Sequence, residues 1–210
     1  MAGKHILHAE LAAIIRERGR FGRSVTAIAG PPGAGKSTLA EKLVEMLNAV
    51  EPESAAVLPM DGYHYDDMVL VPRGLRSRKG SPETFDVAGF GHMLRRLKAN
   101  DEAEIAVPVF DRAIEIARAG ARMIPSSVRH LVVEGNYLLL GEAPWSELFP
   151  LFDTTVMIDV PEAVLKARLA VRWAHLSSEE RASRLDGNDL PNGRRVIANS
   201  RLAEFKVTDA

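Results

Sequence analysis

The sequence predicts an α/β fold in which a doubly wound parallel sheet carries helices on both faces, with a small helical lid. Segments of strand and helix character alternate along the chain, which is the order of parallel strands joined by helices. The strand candidates at residues 131–134 and 154–160 are continuous β-rich runs, typical of strands covered on both faces. A glycine-rich turn at residues 30–37 joins a strand to a helix, so we expect ligands outside the carboxyl ends of the strands.

The N-terminal third predicts two helices and two strands. We expect an amphipathic helix near residues 4–18, because its apolar residues recur on one stripe. The β-branched run at 24–29 predicts a strand, and the segment after the glycine-rich turn predicts a helix. A second apolar run at 55–60 predicts a strand that ends near Pro59, because proline cannot donate a hydrogen bond within a central strand.

The middle of the chain predicts a long loop followed by a helix and a strand. Residues 66–85 hold Pro and Gly among basic residues, and a surface loop of this length in a compact domain is usually functional or mobile. A helix at about 86–99, a strand at 105–110 and a short helical stretch are expected to follow.

The C-terminal third is expected to contain the lid. Pro161 begins a helix, since proline is favoured in the first helical turn. Residues 174–195 are polar and rich in Ser, Glu and Arg, which predicts a mobile lid or, alternatively, a salt-bridged surface helix. Within this segment, residues 188–192 have the composition of a turn-rich loop. The length of the chain predicts a single domain that spans residues 1–210.

Composition excludes several classes of protein. The absence of cysteine excludes disulfides, thiolate metal sites and cysteine nucleophiles. The net charge of −1 gives no global field for nucleic acid or an anionic membrane, and no apolar run approaches the ~20 residues that span a bilayer. The N-terminus is charged and unlike a signal peptide, so a cytoplasmic protein is expected. The oligomeric state stays open, with a homodimer as one option.

The glycine-rich turn matches the phosphate-binding pattern G-x-x-x-x-G-K-[ST] at every fixed position. Backbone N–H groups at the helix N-terminus and the helix dipole favour an anion at this point. We therefore expect ATP as the nucleotide, with Lys36 at the β- and γ-phosphates as a catalytic group and Ser37 as a ligand of Mg²⁺. The residues expected to bind the nucleotide are Gly30, Gly33, Ala34, Gly35, Lys36, Ser37 and Thr38.

Two carboxylates terminate apolar runs, Asp61 after residues 57–60 and Glu134 after residues 131–133. Phosphoryl transfer to a hydroxyl needs a metal near the phosphates and a carboxylate that receives the acceptor proton. We assign Asp61 as the base and place Glu134 in the Mg²⁺ shell and beside the substrate. A helix cap or an ordinary loop carboxylate is the alternative for each.

Further polar and basic residues are candidates for the acceptor site. Tyr63 and His64 follow Asp61 and are expected to line an acceptor pocket, with packing as the alternative. Lys79 belongs to a locally basic loop that is equally consistent with a solvated surface, and Arg112 is expected to hold an anionic group.

Arg168 and Arg172 are spaced i, i+4 and so share one face of the predicted helix. Arginines close to a transferred phosphoryl group can neutralise the charge of its transition state, so both are catalytic candidates, with a salt-bridged surface helix as the alternative.

Together these residues resemble the phosphoribulokinase/uridine kinase/pantothenate kinase group of P-loop small-molecule kinases. The resemblance rests on residues 60–64, 78–86, 107–111 and 133–137, in the order that the group requires. It implies that Asp61 is the catalytic base and that Arg168 and Arg172 match lid-proximal arginines. Residues 60–67, 78–86 and 187–192 are most similar to short bacterial proteins named nucleoside/nucleotide kinase-like or fructose transport system kinase.

Two departures affect the choice of substrate. Uridine kinases carry an acidic residue that grips the ribose hydroxyls at the position of Gly80, so a nucleoside acceptor is less favoured. The chain is much shorter than a bacterial pantothenate kinase, and the segments that enclose pantothenate there have no obvious counterpart. We therefore expect a kinase for a sugar or sugar-like acceptor, ahead of a pantothenate-like acid and a nucleoside.

A protein of another class, an NTP-hydrolysing switch or assembly factor, is the main alternative to a metabolite kinase. Such a protein does not require the carboxylate and aromatic residues at positions 61–64, and its turnover would not depend on Asp61.

Overall fold

The computed structural model describes residues 3–208. Its strands are β1 (Lys4–His5), β2 (Ser24–Ala29), β3 (Ala55–Pro59), β4 (Glu104–Asp111), β5 (Ile116–Pro125), β6 (His130–Gly135), β7 (Thr154–Ile158) and β8 (Phe205–Val207). Six of these strands form one parallel sheet in the order β1-β8-β7-β2-β6-β3. Strands β4 and β5 form a separate antiparallel hairpin.

The helices alternate with the strands of the central sheet. They are α1 (His8–Arg18), α2 (Lys36–Val50), α3 (Asp67–Leu70), α4 (Val87–Ala99), α5 (Glu162–Arg172), α6 (Ser178–Arg184) and α7 (Leu190–Asn199). A 3₁₀ turn at Met60–Tyr63 follows β3, and a single π-helical turn at Leu185–Asp189 joins α6 to α7. Within residues 3–208, none of the helices combines the length and the apolar character needed to cross a bilayer.

The sheet is covered on both faces, so the predicted doubly wound α/β class is confirmed. Helices α1, α2 and α5 pack on one face, where Leu39 and Leu43 meet Ile28 of β2. Helix α4 and the β4–β5 hairpin pack on the other face, where Phe90 meets Ala27 of the same strand. Successive residues of β2 thus point into opposite cores, which explains why the whole strand is apolar or neutral and fully buried.

Several predicted elements are confirmed within a residue or two. Strand β2 spans the expected residues, β3 ends at Pro59, and α5 begins directly after Pro161. The predicted helix at residues 4–18 begins only at His8. Lys4 and His5 instead pair with β8, a partner about 200 residues away that local periodicity cannot reveal.

Three segments differ from the predicted structure. The stretch at 66–85 is not a plain surface loop, because it contains α3 and buries Lys79 and Phe85. The prediction of a helical stretch after residue 110 is wrong, because β5 pairs antiparallel with β4 and the two strands form a hairpin. Residues 188–192 are helical rather than turn-rich, and they span the end of the π-helical turn and the start of α7.

Gly62 fixes the distance between the turn after β3 and the hairpin. A Cβ atom at this position would lie 2.5 Å from the carbonyl oxygen of Pro108 in β4. The neighbouring atom belongs to the backbone and cannot move aside as a flexible side chain could. Only glycine therefore permits this close approach.

We predict that Gly62→Ala lowers the free energy of unfolding by about 1–3 kcal/mol, because the new methyl group overpacks the turn against β4. Urea denaturation measures this change. Gly22→Ala is the matched control, because a Cβ there meets no atom within 4 Å. The control is expected to stay within about 0.5 kcal/mol of the parent protein. Equal stability of the two variants would contradict the close approach at Gly62.

Candidate active site

The parallel register brings three strand ends to one edge of the sheet. Ala29 at the end of β2 pairs in register with Gly135 at the end of β6. Pro59 at the end of β3 pairs with Glu134. The phosphate-binding turn, Glu134 and the 3₁₀ turn that carries Asp61 therefore emerge side by side, although they are far apart in the sequence.

The glycine-rich turn adopts the backbone of a phosphate-binding loop. Gly33 and Gly35 have φ values of 81° and 96°, in the left-handed region that favours glycine. Gly35 caps α2, so the N-terminus of that helix opens on the loop. Gly30 and Ala34 lie buried behind it, and a Cβ on Gly30 would come within 3.3 Å of the Ala34 Cβ.

Lys36 is a buried cation within this loop. Its Nζ donates a hydrogen bond to the carbonyl oxygen of Pro31 at 3.0 Å. Burial lowers the pKa of Lys36 to about 8, while the negative charges of Glu134 and Asp61 oppose the shift. Phosphate groups placed here would supply the counter-charge that the buried ammonium lacks.

Glu134 is buried beside Ser37, whose hydroxyl is close enough to lower the pKa of the Glu134 carboxyl group. Burial raises the pKa of Glu134, and the nearby charge of Asp61 adds to the rise, whereas Lys36 and Arg112 lower it. A carboxylate and a hydroxyl in contact suit Mg²⁺, a hard cation that takes oxygen ligands. Among residues 3–208, no group of three or more His, Asp or Glu side chains is arranged to hold a metal.

Asp61 forms an ion pair with Arg112, whose Nη2 lies 2.6 Å from the Asp61 Oδ2. Arg112 follows the end of β4, and 69% of its side chain is exposed, whereas only 22% of the Asp61 side chain is exposed. The arginine covers the carboxylate from the solvent side. Because a surface-exposed ion pair is weak, Arg112 is free to exchange Asp61 for another anion.

His64 is held in the wall of the cleft by its backbone neighbours and two aromatic rings. Its Nδ1 lies 2.7 Å from the carbonyl oxygen of Asp61, so Nδ1 carries the proton in this contact. The imidazole packs between Phe85 and Phe110, with ring centroids 4.0 and 4.5 Å away. Burial lowers the pKa of His64, and the charges of Lys79 and Arg112 lower it further. A neutral ring with Nε2 as a hydrogen-bond acceptor follows.

Lys79 is buried in the wall of the cleft. Its Nζ donates to Asp67 Oδ1 at 2.8 Å and to the carbonyl oxygen of Glu115 at 2.6 Å. It therefore ties α3 to the tip of the hairpin, a structural role that its place in a basic loop did not indicate. The ammonium has three donors, so one remains for a ligand.

Tyr63 does not line the cleft, contrary to the expectation from its place after Asp61. Its ring is buried and packs against Phe90 of α4, with the centroids 4.6 Å apart. The 3₁₀ turn directs neighbouring side chains to different sides, so Tyr63 enters the core while Asp61 and His64 reach the cleft.

The two arginines of α5 occupy different places. Arg172 lines the cleft and its charge contributes to the lowered pKa of Lys36. Arg168 lies behind the loop, where its Nη1 donates to the carbonyl oxygens of Gly33 and Ala34, each at 3.3 Å. The geometry makes Arg168 a brace for the phosphate-binding loop rather than a group in the cleft.

These elements enclose a cleft of about 230 Å³. The sequence-predicted residues that line it are Gly33, Gly35, Lys36, Ser37, Thr38, Asp61, His64, Lys79, Arg112, Glu134 and Arg172. Residues that were not singled out also line it, among them Asn136, Trp173, Arg184 and Asp189. Trp173 Nε1 donates to Asp189 Oδ2 at 2.7 Å, and Arg184 lies over the Trp173 ring. In the sequence, only the polar, arginine-rich composition of residues 174–195 indicated that this segment contributes to the cleft.

Comparison with known proteins identifies the family. No protein-family model matches the chain. A Schizosaccharomyces pombe protein named "putative uridine kinase" is 36% identical over 181 residues, which cover 81% of this chain and 76% of that protein. A pantothenate kinase of Listeria monocytogenes is 30% identical over 166 residues, which cover 76% of this chain but 53% of that enzyme.

Solved structures agree with these relatives. The crystal structure of a "putative fructose transport system kinase" from Silicibacter sp. TM1040 has a TM-score of 0.88 and 40% identity, and the match covers 96% of this chain and 98% of that one. A phosphoribulokinase from Rhodobacter shares the fold alone, with a TM-score of 0.59 and 10% identity over 83% of this chain and 68% of that one. The chain therefore belongs to the phosphoribulokinase/uridine kinase/pantothenate kinase group of ATP-using P-loop kinases.

Proposed function

We propose that the protein transfers the γ-phosphoryl group of ATP·Mg²⁺ to a hydroxyl of a small metabolite, with a sugar as the favoured acceptor. One observation carries this proposal: Asp61 lies in the same cleft as Lys36 and Ser37, within the electrostatic reach of the buried ammonium. A carboxylate in the same cleft as the phosphate-binding loop is what transfer to a hydroxyl requires.

Binding of the nucleotide is the task of the loop and α2. Backbone N–H groups at Gly33, Gly35 and the start of α2 would hold the phosphates, and Lys36 would exchange the Pro31 carbonyl for the β- and γ-phosphate oxygens. Ser37 and Glu134 would hold Mg²⁺, which when bound neutralises charge on the β- and γ-phosphates.

Proton transfer is the task of Asp61. The acceptor hydroxyl would displace Arg112 from Asp61, and its proton would pass to the freed carboxylate as its oxygen bonds to the γ-phosphorus. The bond between that phosphorus and the β–γ bridging oxygen breaks, and ADP leaves. Arg172 would stabilise the charge that spreads over the transferred group, since it lines the cleft near Lys36.

The preference for a sugar rests on the hydrogen-bonding groups of the cleft and on the similarity to a fructose transport system kinase. His64 offers an acceptor at Nε2, and Asn136 adds an amide to the same wall. Gly80 stands where uridine kinases carry the acidic residue that binds the ribose hydroxyls, so this cleft lacks that contact with a nucleoside. A pantothenate-type acid, attracted by Arg112, and a nucleoside remain the alternative acceptors.

We also propose that residues 1–210 form a single kinase domain in the cytoplasm, with residues 174–195 as its lid. Its partner would be a small molecule rather than nucleic acid or a membrane, and a homodimer is one form in which it would act.

We predict that a screen of ATP consumption finds acceptor-stimulated turnover with fructose, another sugar or a polyol, and that Asp61→Asn lowers this turnover by about 10²–10⁴-fold. ATP binding, measured by calorimetry, should change little because Asp61 does not bind the phosphates. Asp159→Asn is the matched control: Asp159 follows β7 at the same sheet edge but pairs with Lys206.

The outcomes separate the two classes of function. Turnover that no acceptor stimulates and that Asp61→Asn leaves intact would overturn the metabolite-kinase proposal in favour of an NTP-hydrolysing switch. Stimulation by pantothenate or nucleosides alone would keep the kinase but reject the sugar.

We predict that Arg172→Ala lowers kcat by about 10²–10³-fold, the loss expected for one preorganised donor that stabilises transition-state charge. Arg168→Ala should act mainly through the KM for ATP, because Arg168 braces the loop that binds the phosphates. Arg96→Ala is the control, since Arg96 pairs with Glu102 on the exposed surface, outside the cleft and the proposed lid. Steady-state kinetics with varied ATP separate kcat from KM, and equal kcat values for the Arg172 and Arg96 variants would refute the assigned role.

A further inference from the structure

Asn188 is a buried amide in the single π-helical turn between α6 and α7, and 7% of the residue is exposed. Its Nδ2 donates a hydrogen bond to the carbonyl oxygen of Lys79 at 3.0 Å, across 109 positions of sequence. Its Oδ1 accepts from the Nδ2 of Asn192 at 2.9 Å. Asn192 is also buried, so it fixes the orientation in which Asn188 presents its donor to Lys79.

The peptide that receives this hydrogen bond belongs to the acceptor wall, which is the part of the cleft lined by His64, Lys79 and Gly80. Gly80 has a φ of 99°, and its carbonyl oxygen accepts from the hydroxyl of Tyr137 at 2.6 Å. Its N–H donates to Thr84 Oγ1 at 3.0 Å. The chain at Lys79 and Gly80 is therefore held by side chains from other elements, and Asn188 is the one that comes from the segment proposed as the lid.

The same helical turn also contributes Asp189 to the lid wall, which is the part of the cleft lined by Trp173, Arg184 and Asp189. Asp189, the next residue, accepts the Trp173 indole N–H, and Arg184 stacks on that indole. These groups line the cleft together with Arg172. A π-helical turn is rare and occurs often at functional sites, where it re-aims side chains. Here it lets neighbouring residues face two different walls.

We propose that Asn188 is a positioning residue that couples the lid to the acceptor wall, so that nucleotide binding at the lid orders the loop around Lys79 and Gly80 for the acceptor. This inference rests on the proposed function for its purpose, but the coupling itself needs only ATP. The hydrogen bond is buried, so removing its donor leaves the Lys79 carbonyl oxygen as a buried polar group without this partner. A lid that moves must then carry the loop with it or break this hydrogen bond.

Hydrogen exchange of the intact protein tests the coupling without an acceptor. The backbone N–H groups of Gly80, Ser81 and Thr84 each donate within the loop and report its order. We expect Mg²⁺ with a non-hydrolysable ATP analogue to slow their exchange by about tenfold, the factor set by one buried neutral hydrogen bond. In Asn188→Ala this protection should disappear, while the amides of the phosphate-binding loop stay protected because the nucleotide still binds.

Two further variants keep the test decisive. Asn192→Ala retains the donor but frees its orientation, so it should lose part of the protection even if Asn188→Ala folds poorly. Asn199→Ala is the matched control, since this asparagine of α7 donates to Glu142 on the exposed surface and should keep the full protection. A graded loss in the order Asn188, Asn192, Asn199 is a pattern that general destabilisation of α7 does not produce.

The inference is overturned if the nucleotide protects the loop equally in the Asn188, Asn192 and Asn199 variants, or leaves it unprotected in the parent protein. Failure of the proposed function is seen separately, as an absence of acceptor-stimulated turnover in the parent protein. Where an acceptor is found, Asn188→Ala should raise its KM more than the KM for ATP, and the reverse order would contradict the assignment to the acceptor wall.

Discussion

The parallel register of β2, β6 and β3 is the constraint on which the site depends. Side-by-side strands of one direction end at the same edge, so a loop, a carboxylate and a turn from distant parts of the sequence meet there. Hydrophobic residues on both faces of β2 lock this register, since a shift of one residue would turn every side chain to the opposite core. The chemistry of the cleft is thus a consequence of how the core packs.

The second feature of the cleft is that burial disfavours the charged forms of Lys36 and Glu134. Burial lowers the pKa of Lys36 and raises that of Glu134, so both groups are less stable in their charged forms than they would be in water. Their mutual attraction offsets only part of this cost. A polyphosphate and a divalent cation would supply the missing charges, so an arrangement that is unfavourable in the free protein would favour binding of the nucleotide that we propose.

Local sequence signals predicted the parts of the site that local structure builds. The phosphate-binding loop follows from glycines, a lysine and a helix start in one short stretch, and Asp61 and Glu134 follow from carboxylates at the ends of apolar strands. The same logic failed for Tyr63, because the direction of a side chain in a 3₁₀ turn depends on which neighbour offers a core. It also missed the burial of Lys79, whose partners Asp67 and Glu115 lie on separate elements.

The sequence by itself determined the fold class, the nucleotide-binding loop and the identity of the acidic groups, because each is encoded within a few consecutive residues. Only the tertiary structure decided that Arg172 enters the cleft while Arg168 braces the loop, that β5 returns as a hairpin over the site, and that Asn188 reaches the chain at Lys79. These features arise from contacts between residues up to 135 positions apart. No local pattern records such contacts, because their free energy exists only once the sheet has brought the segments together.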